Sequence, residues 1–241
     1  MKILSIETSG KICAVALTED DKLIKEKIIE DENTHSVKLM PLIDELLKET
    51  NTNIQDIDLF ACDIGPGSFT GIRIGVATTK AFVDVTDGKA IGITSLECLA
   101  KNIEENTTIC TLIDAKNENV YYGFFEKNGN EYIKKNEFGF DNINNVLKLA
   151  NSINNNIVFL GDGSLVYKSL IEEKFKSGVI EIDDNINKLN ARNLAYIAYQ
   201  RKKEAGNSDM LNPIYLRKSS AELLKKWFYG VLDVDRYKKN E

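Results

Sequence analysis

The chain has 241 residues, of which 43% are hydrophobic and 28% charged, as in a globular protein with one large domain or two small lobes. Its net charge of −6 argues against a protein that grips nucleic acid by itself, because phosphate binding depends on clustered cations. The single histidine, His35, excludes sites that need two imidazoles from one chain, such as a His-x-x-x-His metal site.

Apolar runs in the first part of the chain predict strands that alternate with helices. Three strands joined by short turns form an antiparallel meander over Lys2–Glu7, Ile12–Thr18 and Leu23–Ile29. The elements predicted next are a helix, a buried strand, a helix, a strand and a helix, over His35–Glu49, Ile57–Ile64, Thr70–Val83, Ala90–Ile93 and Ser95–Asn102.

The same order of elements returns in the second part of the chain. A second meander is predicted over Thr108–Asp114, Asn119–Glu126 and Tyr132–Phe138. A helix, a strand, a helix, a strand and a last helix follow, over Asn142–Ala150, Ile157–Leu160, Ser164–Phe175, Val179–Ile182 and Ala191–Lys203. We therefore predict a duplicated lobe, with an N-terminal lobe over 1–104 and a C-terminal lobe over 105–241. Packing of the last helix on the first lobe is the alternative to packing on its own lobe.

The cysteines and the apolar runs predict a metal-free cytoplasmic protein. The four cysteines are widely spaced, with no Cys-x-x-Cys pair, so we expect buried thiols and no zinc. Glu7 interrupts the first apolar run, and we expect no secretory signal there. The longest uncharged stretch, 149–161, is too short and too polar to span a bilayer.

The turn after the first strand is the candidate for nucleotide binding. It carries an acid, two hydroxyls and a glycine, in the order Glu7, Thr8, Ser9 and Gly10. Backbone amides and hydroxyls in such a turn can cradle a phosphate, and the actin-like ATPases use a strand–turn–strand of this kind. An ordinary polar turn with a carboxylate at the strand end fits the same residues.

The densest motif, Gly65–Gly75, reads Gly-Pro-Gly-Ser-Phe-Thr-Gly-Ile-Arg-Ile-Gly and opens the second predicted helix. It matches neither a Walker A loop nor Gly-x-Gly-x-x-Gly. Two glycines on one helical stripe imply that something packs very close, since each costs about 1 kcal/mol relative to alanine. Apolar residues cover more than one face of this helix and of the helix that begins at His35, which favours an interface. The predicted partner surface is Leu39, Leu42, Ile43, Gly71, Ile72, Gly75, Val76 and Thr79.

These motifs together resemble the TsaB family, the non-catalytic partner in bacterial synthesis of threonylcarbamoyladenosine in tRNA. Gly65–Gly75 matches the most specific signature of that family. Further similar blocks are Asp114-Ala115-Lys116, Gly161-Asp162-Gly163 and Pro213–Arg217. Two positions depart from the family pattern, with Glu7 in place of the frequent Asp and Lys116 in place of the usual Arg.

The resemblance implies a fold, a function and partners. The fold is a two-lobed, actin-like (ribonuclease H-like, duplicated) α/β fold in which each lobe is a mixed sheet with helices. The protein would be a scaffold without catalytic residues that pairs with a TsaD-type paralogue through the two helices of the first lobe. A TsaE-type ATPase would join, tRNA would bind only through the complex, and the same surface would also serve a homodimer. No cofactor is expected on the chain alone, with ATP or ADP entering in the complex.

Two other classes of function remain open from the residues alone. An actin-fold ATP-dependent phosphotransferase would need carboxylates that hold Mg²⁺, and Glu7 is the one candidate on the first hairpin. A hydrolase would act through Ser36, Ser68 or a cysteine, although no Gly-x-Ser-x-Gly motif is present. ATP–Mg²⁺ titration separates the phosphotransferase from the scaffold.

Overall fold

Two mixed sheets organise the chain in a computed structural model that describes residues 1–30, 35–154, 156–175, 179–180 and 186–217. The first sheet has five strands in the order β3-β2-β1-β4-β5. These strands are β1 (Lys2–Glu7), β2 (Ile12–Glu19), β3 (Lys22–Glu30), β4 (Leu59–Asp63) and β5 (Lys89–Ile93). The helices of this part are α1 (His35–Glu49), α2 (Phe69–Val85) and α3 (Ser95–Ala100).

The second sheet has six strands, in the order β11-β10-β6-β7-β8 with β9 beside β7. They are β6 (Thr108–Asp114), β7 (Asn119–Asn128), β8 (Glu131–Lys134), β9 (Gly139–Asn142), β10 (Ile157–Leu160) and β11 (Val179–Ile180). The helices that follow β9 are α4 (Ile143–Ile153), α5 (Asp162–Val166), α6 (Lys168–Lys174) and α7 (Ala191–Gln200).

The two sheets have the same topology, which confirms the predicted duplication. In the first sheet β2 is antiparallel to β1 and β3, whereas β4 is parallel to β1 and β5. In the second sheet β7 is antiparallel to β6 and β8, whereas β10 is parallel to β6 and β11. The ends of β1 and β4 in the first lobe, and those of β6 and β10 in the second, therefore lie next to each other.

Strand β1 is buried on both faces because helices cover the first sheet on both sides. Leu4 and Ile6 pack in the core beneath α1 and α2, whereas Ile3 packs on the other face against residues of α7. The Ser5 hydroxyl donates a 2.6 Å hydrogen bond to the Ala191 carbonyl at the start of α7. Helix α7 thus follows the second sheet in sequence but lies on the first sheet.

Several predicted elements differ from the structure in the second lobe. The predicted strand Tyr132–Phe138 is divided, since β8 ends at Lys134 and β9 starts at Gly139. The reason is that the Asn136 side-chain oxygen accepts from the Phe124 amide (3.0 Å) and so replaces a ladder bond. The predicted helix Ser164–Phe175 is broken at Tyr167, and the last predicted helix ends at Gln200. Positions 181–182 of a predicted strand, and 218–241 of the predicted C-terminal lobe, lie outside the described residues.

An asparagine network holds the segment that leads from the second sheet to α7. The Asn102 amide donates to the carbonyls of Ile186 (2.7 Å) and Lys188 (3.1 Å). Its oxygen accepts from the side chains of Asn190 (2.9 Å) and Asn193 (2.7 Å). These bonds fix the segment in which the chain crosses from the second lobe to the first.

None of the helices in the described part of the chain combines the length and hydropathy that a bilayer crossing requires.

Candidate functional site

The turn between β1 and β2 folds around the carboxylate of Glu7. The Oε1 atom of Glu7 accepts from the Ser9 amide (2.7 Å), the Ser9 hydroxyl (2.8 Å) and the Gly10 amide (3.1 Å). Convergent amide and hydroxyl donors of this kind are what an anion needs in a turn. The four residues predicted to bind nucleotide do come together, but the donors of Ser9 and Gly10 already serve the protein's own carboxylate.

A second buried carboxyl group, Asp63, lies beside Glu7 because β4 runs parallel to β1 and ends next to it. Asp63 Oδ1 accepts from the Gly65 amide (2.6 Å) and the Ser95 hydroxyl (2.8 Å). The Ser9 hydroxyl lies 3.0 Å from Asp63 Oδ2, so it bridges the two acids. Since a hydroxyl has one proton, Ser9 can donate to only one of the two acids at a time.

Burial sets the protonation of this pair. Desolvation is the largest cause that raises the pKa of Glu7 well above its ordinary value, and the neighbouring Asp63 carboxylate raises it further. Desolvation also raises the pKa of Asp63, while its hydrogen bonds oppose that rise. The exposed fractions of the two side chains are 0% and 1%. Burial and the neighbouring carboxylate therefore favour the protonated form of Glu7 more strongly than that of Asp63, and neither acid is open to Mg²⁺ from solvent.

The glycines of the 65–75 motif let the start of α2 pack against the same turn. A Cβ atom on Gly67 would lie 2.4 Å from the Ser9 carbonyl oxygen, and one on Gly71 would lie 1.9 Å from the Thr8 carbonyl oxygen. The Thr8 hydroxyl donates to the Gly71 carbonyl (2.8 Å), and the Ser68 amide donates to the Ser9 carbonyl (2.7 Å). The motif therefore joins α2 to β1 and its turn.

The glycine stripe of α2 was predicted to face a partner, and this prediction is wrong. A Cβ atom on Gly75 would lie 2.5 Å from Thr8 Oγ1 and 3.4 Å from Cys62 Sγ, both within the same lobe. The whole predicted partner surface is buried in this lobe, namely Leu39, Leu42, Ile43, Gly71, Ile72, Gly75, Val76 and Thr79. The close approach inferred from the glycines is real, but the element that approaches is the β1–β2 turn.

The apolar and small residues that α1 and α2 do expose lie on other sides of these helices. On α1, the side chains of Val37 and Met40 are 70% and 51% exposed, and Pro41 is exposed beside them. On α2, Ala77 and Ala81 are exposed. We call these five residues the outer helix face. It is apolar and lies on the two helices that sequence reasoning selected, on the sides opposite to the predicted ones.

A cleft of about 240 Å³ separates the turn from the second lobe. Its first-lobe wall includes Ser9, Gly10 and Lys11, and its second-lobe wall includes Asp162 and Leu189. The Leu189 methyl carbon would lie 3.1 Å from a Cβ atom on Gly10, so an apolar side chain covers the turn. Ligand pockets in proteins typically have volumes of roughly 300–1,000 Å³, and this cleft is smaller.

The candidate nucleophiles do not form a catalytic group. The ring of His35 is buried, with Nε2 3.1 Å from the Gly10 carbonyl oxygen. The Ser68 hydroxyl caps α2 by accepting from the Gly71 amide (3.2 Å), and Ser36 is exposed. Burial raises the pKa of all four cysteine thiols, that of Cys13 to about 11. Within the described ranges, no cluster of three His, Cys, Asp or Glu residues could hold a metal ion.

Sequence reasoning missed Asp63 and Ser95. Asp63 is the acid at the end of a predicted buried strand, which was a usable signal, since parallel neighbours bring their ends together. Ser95 carried no signal that distinguishes it from an ordinary helix start.

Comparison with known proteins places the chain among tRNA-modification proteins. The family model described as "TsaD: tRNA N6-adenosine threonylcarbamoyltransferase" matches residues 22–225. The tRNA threonylcarbamoyladenosine biosynthesis protein TsaB of Bacillus subtilis is 32% identical, over 94% of this chain and 98% of the relative. TsaB of Haemophilus influenzae is 26% identical, over 90% of this chain and 94% of the relative.

Solved structures show the same fold. YeaZ from Pseudomonas aeruginosa superposes with a TM-score of 0.72 at 18% identity, covering 89% of this chain and 99% of that one. Component A of the (R)-2-hydroxyglutaryl-CoA dehydratase of Acidaminococcus fermentans gives a TM-score of 0.51 at 11% identity, covering 84% and 99%. The predicted two-lobed actin-like fold is confirmed.

Proposed function

Because the chain belongs to the TsaB family, we propose that it is a non-catalytic subunit that pairs with a TsaD-type transferase in the threonylcarbamoyl modification of adenosine in tRNA. A transferase of that type would supply the His-x-x-x-His metal site, which a chain with one histidine lacks. A TsaE-type ATPase would join the assembled pair.

The observation that carries the non-catalytic role is the occupied amide cradle of the first turn. An actin-fold phosphotransferase needs free donors for phosphate and accessible carboxylates for Mg²⁺. Here the Ser9 and Gly10 amides donate to Glu7, and both Glu7 and Asp63 are buried. We therefore expect no heat of binding when the isolated chain is titrated with ATP–Mg²⁺. In the complex, the partner proteins would supply the binding site for ATP or ADP.

The outer helix face is the surface we propose for pairing. Apolar side chains as exposed as Val37 and Met40 lose contact with water when a partner covers them, and that transfer is favourable. The small side chains of Ala77 and Ala81 let a second helix approach. A second copy of this chain would use the same face when no transferase is present.

The test is a charge placed on this face. Val37→Glu together with Met40→Glu should leave the fold intact, because both side chains point to solvent. Association with the TsaD-type paralogue, followed by sedimentation velocity, should weaken by roughly 30-fold, as central contact residues often cost about 2 kcal/mol or more. Val166→Glu is the matched control, since Val166 is 58% exposed but lies on the second lobe. Equal association of all three proteins would place the pairing surface elsewhere.

A further inference from the structure

Two stacks of arginine on aromatic rings lie where the C-terminal segment crosses α2 and the second sheet. In the first stack, the Arg73 guanidinium lies 3.8 Å from the centre of the Phe69 ring. Arg73 Nε also donates to the Tyr215 hydroxyl (3.0 Å), and the two aromatic rings are 4.9 Å apart. Phe69 and Tyr215 are exposed, so this stack presents a cation and two ring surfaces to solvent.

The second stack is built around Arg217. Its guanidinium lies 5.6 Å from the centre of the Phe140 ring, which is in turn 5.4 Å from the Tyr121 ring. Arg217 also donates to the Ala115 carbonyl (3.3 Å). Because two residues of chain reach at most about 7 Å, the Cα atoms of Tyr215 and Arg217 are close, and the stacks adjoin. We call the combined surface the arginine strip, made of Phe69, Arg73, Tyr121, Phe140, Tyr215 and Arg217.

The charges of the strip are not neutralised within the described part of the chain. The two other arginines described there, Arg192 and Arg201, lie within 4 Å of the carboxylates of Glu26, Glu97 or Glu204. Neither Arg73 nor Arg217 has a carboxylate at that distance among the described residues. Among the arginines that the structure describes, the two without a carboxylate within 4 Å thus lie on one strip, each against an aromatic face, in a chain with a net charge of −6.

We infer that the arginine strip is an RNA contact surface, an inference that rests on the proposed function in tRNA modification. Guanidinium groups bind phosphate oxygens in a two-pronged geometry, and exposed aromatic rings stack on unpaired bases. Arg73 and Arg217 bind phosphates, and the Phe69 and Tyr215 rings accept a base. The strip borders the outer helix face, because Arg73 lies one turn of α2 before Ala77, and we assign the five apolar residues of that face to the protein partner. Two cations give weak binding alone, in keeping with the acidity of the whole chain.

The test compares two double variants that remove the same charge. Arg73→Gln with Arg217→Gln changes the strip, and Arg192→Gln with Arg201→Gln changes the arginines that have carboxylate partners. The probe is an unmodified anticodon stem–loop RNA, titrated by fluorescence anisotropy against the full chain alone at low salt and against its complex with the TsaD-type paralogue. The strip variant should bind about tenfold more weakly, and its slope of log affinity against log salt should fall by about 1.4, or 0.7 per lost phosphate contact. The control variant should keep the parent slope.

A third variant tests the stacking. Tyr215→Leu should weaken RNA binding without a change in the salt slope, because it removes a ring and no charge. Thermal midpoints equal to that of the parent would show that these substitutions leave the fold intact.

Three results would overturn the inference. The first is a parent chain that does not bind the RNA in either assay, and the second is a strip variant that binds like the control. The third is a strip variant that keeps its RNA affinity but dissociates from the paralogue, which would make the strip a protein contact. The titration of the chain alone needs no partner, so a failure to pair would count against the proposed function and not against the strip.

Discussion

At the residue scale, the turn after β1 directs its amide donors to one of the protein's own carboxylates. Glu7 Oε1 accepts from the Ser9 and Gly10 amides, so these two donors are already engaged within the turn. Its placement at the end of β1 could be predicted from the sequence, because the apolar run stops there. The burial of Glu7 beside Asp63 could not be predicted, since it depends on the neighbouring strand β4.

The raised pKa of Glu7 predicts a pH-dependent stability. The folded state holds this proton more tightly than the unfolded state, whose carboxyl has a pKa near the ordinary 4.5. The contribution to the free energy of unfolding is therefore fully present below pH 4.5 and is lost as the pH rises through the raised pKa. Each tenfold difference in proton affinity between the two states corresponds to about 1.4 kcal/mol. Glu7→Gln keeps the acceptor oxygen but cannot ionise.

We expect urea denaturation to show that Glu7→Gln is more stable than the parent at about pH 8, with the difference shrinking towards pH 4.5. Glu118→Gln, a change at an exposed carboxylate, should follow the parent throughout. A Glu7→Gln protein that is less stable than the parent at both ends of this range would mean that the Glu7 charge stabilises the turn.

At the element scale, the sequence identified α1 and α2 but not their orientation. Both helices carry apolar residues on more than one face, and such a pattern does not say which face meets the sheet. The glycines of α2 do indicate a close neighbour. That neighbour is the turn at Thr8, and the Thr8 hydroxyl and the Gly71 carbonyl that it meets are 63 positions apart, so no local pattern in either segment identifies the other.

Substitution of Gly75 distinguishes core from surface. Gly75→Leu would drive carbon atoms into Thr8 Oγ1 and Cys62 Sγ, and overpacking of this kind typically costs about 1–3 kcal/mol or more. The matched control is Ala81→Leu, which places the same side chain on the exposed side of the same helix. Differential scanning calorimetry should give a clearly lower thermal midpoint for Gly75→Leu alone. Equal midpoints would show that Gly75 faces solvent or a partner.

At the scale of the whole molecule, the repeated order of elements was sufficient to predict two lobes of one topology. The packing of the end of the second half of the chain on the first lobe was not predictable in detail. Helix α7 lies on the first sheet, and the segment after it pairs Gly206 with Ala90 and buries Leu211 in the first core. The apolar face of α7 fits either sheet by its pattern. The Asn102 network, which fixes its position, joins side chains 88 and 91 positions apart.

Whether this chain acts by pairing and not by catalysis is decided by reconstituting the modification with the TsaD-type paralogue and the other required components. The measured quantity is threonylcarbamoyladenosine in tRNA, determined by mass spectrometry of nucleosides. We predict the same yield with the parent and with Glu7→Gln, and a yield close to that without this chain for Val37→Glu with Met40→Glu. A Glu7→Gln protein that pairs normally but gives no product would show that Glu7 takes part in the chemistry, against a role in pairing alone.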